Sequence, residues 1–394
     1  MIGPLDVVTE IFLTSLFFGT ERGKRGPETL PFLLTQKPSF PKVFLRKTSP
    51  VAITSLLLLI VKGGRCMKKV ALISMIALTL ISFGISTSYA KQFKIAAIFQ
   101  TAIEEPWDGA IHQACLKAKK QMKGVHYEFT EKVGAADFEK VLREYAERGF
   151  DLIVGDAFLA GEEPARRVAK DYPKTAFAFG SEFGPVAPNF SVFDNWIQEP
   201  AYLCGIIAGK MTKTNVLGVV AAIPIGEVNR LVNAFKAGAL KVNPKVKVKI
   251  SYIGGWFDPP KAKEAAIAQI EAGADLIYAE RFGVFEAAKE KGILAFGNMS
   301  DQNGLAPSVV ITSPVWDMYP TIKFAIEMVK KKAWVAMDLR EWSMMAKGGA
   351  RLAPFHAFEK TLPADVLKMV RHLEKKIING TYHVPVDEQK PVSD

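Results

Sequence analysis

From residue 93 onward, short apolar runs alternate with longer segments in which polar residues recur at helical spacing. "FKIAAIF" is followed by "WDGAIHQACLKAKKQM", "HYEFTEKV" by "DFEKVLREYAERG", "DLIVGDAF" by "EEPARRVAKDYP". "TAFAFGS" and "SVFDNW" lead into "EPAYLCGIIAGKMT". The rhythm then restarts: "VLGVVAAI" precedes "EVNRLVNAFKAGALK", "VKVKISYIGG" precedes "PPKAKEAAIAQIEAG", and "DLIYAE" precedes "VFEAAKEKG", with "ILAFGN" and "SVVITSPV" after it. Strands alternating with helices of this length predict βαβ units and parallel sheets. The runs are apolar on both faces, as strands buried between helix layers must be. Two sets of four to five strands predict two sheets: a first lobe over 91–198 and a second over 199–295. The first is completed by about 296–330 and the second by about 331–394, with closing helices near 317–332 and 364–379.

In open α/β sheets ligands bind beyond the carboxyl ends of the strands, and two such lobes face each other across a cleft that can hinge shut. The residues just after each strand are therefore the candidates. The first strand is followed by Glu104, Glu105, Pro106, Trp107 and Asp108, "DLIV" by Asp156 and Phe158, and "SVF" by Asp194 and Asn195. In the second lobe the corresponding places hold Glu227 and Arg230, then Trp256, Phe257 and Asp258, then Glu280, Arg281 and Phe282, then Asn298, Met299 and Asp301. Aromatics with carboxylates and amides recur, which suits a flat, polar, nitrogen-rich ring: faces stack, and acids or amides accept from N–H groups. From these the predicted ligand-binding set is Trp107, Asp156, Phe158, Glu227, Trp256, Phe257, Asp258, Glu280, Asn298 and Asp301. Other duties compete. Asp258 before Pro259-Pro260 is also a good N-cap, and Glu227 is also a first-turn acid favoured by the helix dipole. Of Trp256 and Phe257, on one turn, one is expected to face the cleft and the other to pack.

The start of the chain changes the charge picture. Residues 67–90, "MKKVALISMIALTLISFGISTSYA", have a charged start, an apolar run and a small-x-small end, the pattern of a secretory signal peptide cleaved after Ala90. Met67 is the expected translation start, with 1–66 an upstream segment. The net charge is +11, but residues 1–90 hold 11 Lys/Arg against 4 Asp/Glu, leaving 40 against 36 in the mature 91–394. That mild excess gives no nucleic-acid footprint. Cys115 and Cys204 sit in apolar helical patterns, the usual place of a structural thiol. No cysteine follows the apolar run, so no lipid anchor is indicated. The expected product is a soluble periplasmic monomer.

Catalytic signatures are missing: there is no G-x-S-x-G, H-E-x-x-H or C-x-x-C. "CGIIAGKMT" has its glycines one residue too close for a phosphate loop, and Met211 where Ser or Thr would hold magnesium; it reads as a helix whose small residues allow close packing. His112, His126, His356, His372 and His383 have no metal spacing. No cofactor and no metal is expected.

Longer motifs add a resemblance. "DLIVGDAF…PARRVAKDYPKTAFAF", "EPAYLCGIIAGKMTKTNVLGVVAAIP", "WFDPPKAKEAAIAQIEAGADLIY" and "GNMSDQ" followed by "VVITS" resemble, in order and spacing, the basic-membrane-protein family of ABC-transporter substrate-binding proteins, which bind purines and nucleosides. The resemblance implies a type I periplasmic-binding-protein fold, α/β, with two doubly wound parallel-sheet lobes joined by a hinge around a ligand cleft. It implies an inner-membrane ABC permease as partner and no enzymatic activity. Nucleoside-binding members carry an Asp, implied to serve the ribose hydroxyls, where this chain has Met299. With Trp107 in the altered loop "EEPWDGA", the expected ligand is a free purine base such as adenine. A nucleoside, service to a chemosensory receptor and an exported nucleoside-processing enzyme are the alternative readings.

Overall fold

The computed structural model describes residues 92–158 and 161–394; the expectations for 1–66 and for the signal peptide at 67–90 lie outside the described residues. Among the described residues, nine parallel strands form two sheets. The first holds β1 (Phe93–Ile98), β2 (Val125–Thr130), β3 (Leu152–Asp156), β4 (Ala176–Gly180) and β5 (Phe190–Phe193) in the order β2-β1-β3-β4-β5. The second holds β6 (Val216–Ala221), β7 (Lys247–Tyr252), β8 (Leu276–Ala279) and β9 (Leu294–Phe296) in the order β7-β6-β8-β9. Both are doubly wound: the order reverses beside the first strand of each, so the strand ends there open a crevice. β3 and β4 are buried throughout, which accounts for their unbroken apolar sequence.

The connecting helices are α1 (Pro106–Gln121), α2 (Ala135–Glu147), α3 (Glu162–Asp171), α4 (Gln198–Met211), α5 (Gly226–Val242), α6 (Pro259–Glu271) and α7 (Val284–Lys291). The core lies on both faces of each sheet, and one continuous cluster runs from Ile95 and Leu152 through Leu203 and Ile207 to Leu231 and Tyr278. Glycines decide how α4 meets α5. A Cβ on Gly205 would stand 2.0 Å from the Phe235 carbonyl oxygen, and one on Gly238 would stand 2.1 Å from that of Tyr202. The small residues of "CGIIAGKMT" thus serve backbone-to-backbone packing. Cys115 and Cys204 are buried free thiols.

After β9 the chain forms the antiparallel pair β10 (Pro314–Trp316) and β11 (Ala350–Leu352), with α8 (Tyr319–Lys330) against α1 and α9 (Ala364–Ile378) against α4. Residues 337–339 run beside β5: Val192 N–H donates to the Met337 carbonyl at 3.0 Å and Leu339 N–H to that of Val192 at 2.8 Å. The last residues lie along α5 and the edge of β7, where Asp394 and Val248 exchange backbone and side-chain bonds. Among the described residues, no helix is long and apolar enough to cross a membrane.

Candidate functional site

The carboxyl ends of strands from both sheets converge on one cavity of about 110 Å³. A single water needs roughly 10–15 Å³, so the space has room for a small ligand. The first sheet contributes Thr101, the start of α1 from Glu105 to Asp108, and Asp156 with Phe158 beyond β3. The second contributes Ile225 and Glu227, Trp256, the Glu280–Phe282 run, and Asn298 to Gln302 beyond β9.

The aromatic walls are braced from behind. Trp107 meets Phe158 edge to face (centroids 5.7 Å, planes at 90°) and lies tilted on Trp316 at 4.8 Å. The wall behind them has no slack. A Cβ on Gly180 would lie 2.9 Å from Asp156 Oδ1 and 3.0 Å from Trp107 Cζ2. On the opposite side Trp256 lines the cavity, with the Arg281 guanidinium 5.4 Å from its ring centre and donating to its carbonyl at 3.1 Å.

The carboxyls differ in what already engages them. Asp156 accepts from the Phe158 N–H at 3.1 Å, and burial pushes its pKa well above the usual range. Asp108 Oδ2 accepts from Thr101 N–H (3.0 Å) and Oγ1–H (2.6 Å), while Oδ1 is buried without a partner; burial again raises its pKa. Glu227 accepts from Asn195 Nδ2–H at 2.6 Å, and burial, with the charges of Asp194 and Glu280, pushes it up to about 8. Glu280 is committed internally: it accepts from Ala222 N–H (2.9 Å), Asn298 Nδ2–H (3.2 Å) and two nitrogens of Arg281. Asn298 in turn accepts from the Tyr278 hydroxyl at 2.7 Å.

Seven of the ten residues singled out from the sequence thus line one cavity: Trp107, Asp156, Phe158, Glu227, Trp256, Glu280 and Asn298. Three stand elsewhere. Phe257 is 62% exposed and packs edge-on against Phe282 at 6.2 Å. Asp258 caps α6, accepting from Lys261 N–H at 3.1 Å, and does not line the cavity; the N-cap duty won. Asp301 is carried outward by the tight turn in which Ser300 N–H donates to the Asn298 carbonyl, and its carboxylate lies 2.8 Å from His356 Nε2. Asp108 and Arg281, outside that set, line the cavity as well. Asp108 reads as an ordinary first-turn acid, and Arg281 as the solvated cation of a turn. Trp316, which backs Trp107, comes from the region after β9, where the alternating pattern fades.

A family model described as ABC transporter substrate-binding protein, PnrA-like, matches residues 93–388. The chain belongs to that family, and so is a substrate-binding component of an ABC transporter rather than an enzyme. A Haloferax volcanii protein provisionally named an ABC transporter glucose-binding protein is 32% identical over 280 residues, covering 71% of this chain and 70% of that one. A purine-binding protein of Brucella abortus is 32% identical over 247 residues, 62% of this chain and 68% of its own. Among solved structures, an ABC transporter solute-binding protein from Conexibacter woesei superposes with a TM-score of 0.60 at 24% identity, over 74% of this chain and 98% of that one. The two doubly wound lobes are accordingly a type I periplasmic-binding fold.

Proposed function

We propose that the cavity binds a purine nucleobase and that the protein delivers it, as an exported periplasmic component, to an inner-membrane ABC permease. The reading rests on one observation: aromatic walls from both sheets flank a space rimmed by Asp108, Asp156 and Glu227, of which burial pushes Asp156 well above the usual carboxylate range and Glu227 up to about 8. A protonated carboxyl presents one donor beside one acceptor. That pair matches the adjacent N–H and ring-nitrogen sites of a purine. A sugar's hydroxyl pairs are better met by ionised carboxylates, which accept twice. The name of the Brucella relative agrees with this reading; that of the Haloferax relative makes glucose the necessary control.

Titration calorimetry with hypoxanthine, guanine, adenine, adenosine and glucose tests the proposal. Micromolar or tighter binding of at least one base is expected. Tight binding of adenosine or of glucose with no heat from any base would overturn it. Met299 offers the converse experiment. It lines the cavity with a left-handed backbone, φ +62°, a conformation that Asp adopts more readily than Met. Met299→Asp places a carboxylate where the family resemblance implies a ribose acceptor. A charge-assisted bond is worth about 1.5–3 kcal/mol, so adenosine affinity relative to the free base is expected to rise at least about tenfold.

A further inference from the structure

Arg281 is the only cationic side chain among the described residues lining the cavity. It stands two residues past the end of β8, after Glu280, and its side chain is 15% exposed. An arginine has five N–H donors in a planar fork. Here three are committed. Nε–H donates to Glu280 Oε2 at 2.9 Å, one Nη2–H to Glu280 Oε1, and one Nη1–H to the Trp256 carbonyl at 3.1 Å. Glu280 is itself pinned by Ala222 N–H and Asn298 Nδ2–H. The guanidinium is therefore held from two sides on a fixed carboxylate, beside the Trp256 ring, with two N–H groups uncommitted. No carboxylate from the first sheet closes on it: Glu105, which lines the cavity opposite, forms no ion pair with it within 4 Å, though its charge is felt.

We propose that Arg281 reads a two-acceptor edge of the ligand, and that the protein prefers 6-oxopurines, of the hypoxanthine and guanine type, over adenine. This rests on the nucleobase reading above and refines it. A purine seated in the cavity against Trp256 would meet the guanidinium, 5.4 Å from that ring's centre, through its two free N–H groups. A 6-oxopurine offers O6 and N7 there, two adjacent acceptors whose spacing fits a guanidinium fork. Adenine offers N6–H₂ at the same place, so donors face donors and the desolvated N–H of Arg281 goes unmatched. The remaining edge agrees. Hypoxanthine and guanine carry N–H at N1, guanine also at N2, and the carboxyl-lined side formed by Asp108, Asp156 and Glu227 supplies acceptors for them.

The test is a ratio of affinities. Hypoxanthine, guanine, adenine and unsubstituted purine are titrated into the wild-type protein, Arg281→Met and Arg281→Lys. Wild type is expected to bind hypoxanthine or guanine at least tenfold tighter than adenine and tighter than unsubstituted purine. In Arg281→Met that preference collapses to within about threefold, and Arg281→Lys, with charge but no fork, falls between. Adenine binding as tightly as hypoxanthine to wild type overturns the proposal while leaving the nucleobase reading intact. Equal losses for all four bases in Arg281→Met, with the ratio unchanged, also overturn it and reduce Arg281 to a support for Trp256. Binding of no base to wild type overturns the nucleobase reading and this inference with it. Should Arg281→Met not fold, the wild-type ratio decides alone.

Discussion

Glu227 shows how one side chain changes meaning with burial. At the start of α5 it stands where a first-turn acid is ordinarily ionised and favoured by the helix dipole. Buried between the sheets, near Asp194 and Glu280, its pKa rises to about 8. The folded protein then holds a proton that the unfolded chain gives up above about 4.5. Between those two values the unfolded state binds fewer protons, so stability contributed at this site falls as pH rises, and levels off above about 8. Glu227→Gln removes that dependence. Thermal melts at pH 5 and pH 8 are expected to show a smaller fall for the variant than for wild type; an equal fall would show that Glu227 ionises normally in the fold.

At the scale of elements, the α4–α5 contact and the turn "GGWFDPPK" carry the clearest consequences. Gly205 faces the backbone of Phe235 at a distance no Cβ can occupy. Gly205→Ala therefore forces the helices apart, with an overpacking cost of about 1–3 kcal/mol or more, read as a lower urea midpoint. An unchanged midpoint would mean that the helices part freely there. In the turn, Gly254 takes φ +79° at the end of β7, and Asp258 with Pro259 starts α6. Between them Trp256 turns to the cavity and Phe257 packs outside on Phe282. The turn thus sets where a stacking plate stands, and Arg281 from the next strand end holds that plate.

Over the whole molecule, the crossing between the sheets is tied at two successive residues. Asp194 pairs with Arg230 at 2.6 Å, and Asn195 reaches Glu227. Arg230 is almost fully buried, lies 3.8 Å over the Trp196 ring, and takes its second carboxylate, Glu388 at 2.5 Å, from the far end of the chain. Residues beyond it cover the edge of β7. A protein ending at Asp387 would leave Arg230 with one carboxylate and that edge unpaired. Losing the charge-assisted bond costs about 1.5–3 kcal/mol, and an uncovered edge strand invites pairing between molecules. A lower melting temperature with light scattering on heating is expected; an unchanged melt would make the tail dispensable.

The alternation of apolar runs and helical periods was sufficient to place strands and helices in two parallel sheets, because a buried parallel strand needs both faces apolar and the helix between two such strands needs one polar side. It also located the cavity to within a few residues, since ligands collect at strand carboxyl ends whatever the side chains are. What lies a few residues past each strand end was legible only as a set. Asp108 and Asp258 are both acids at helix starts, yet one points into the cavity and the other caps its helix. Arg281 reads as solvent-facing until Glu280 is seen pinned by the Ala222 amide 58 positions away. Those choices depend on which backbones approach in space, on the water excluded there, and on which partner reaches a group first. Periodicity records the first-order burial of each element; only the tertiary structure decides which polar groups are buried together, and so which of them are left to meet a ligand.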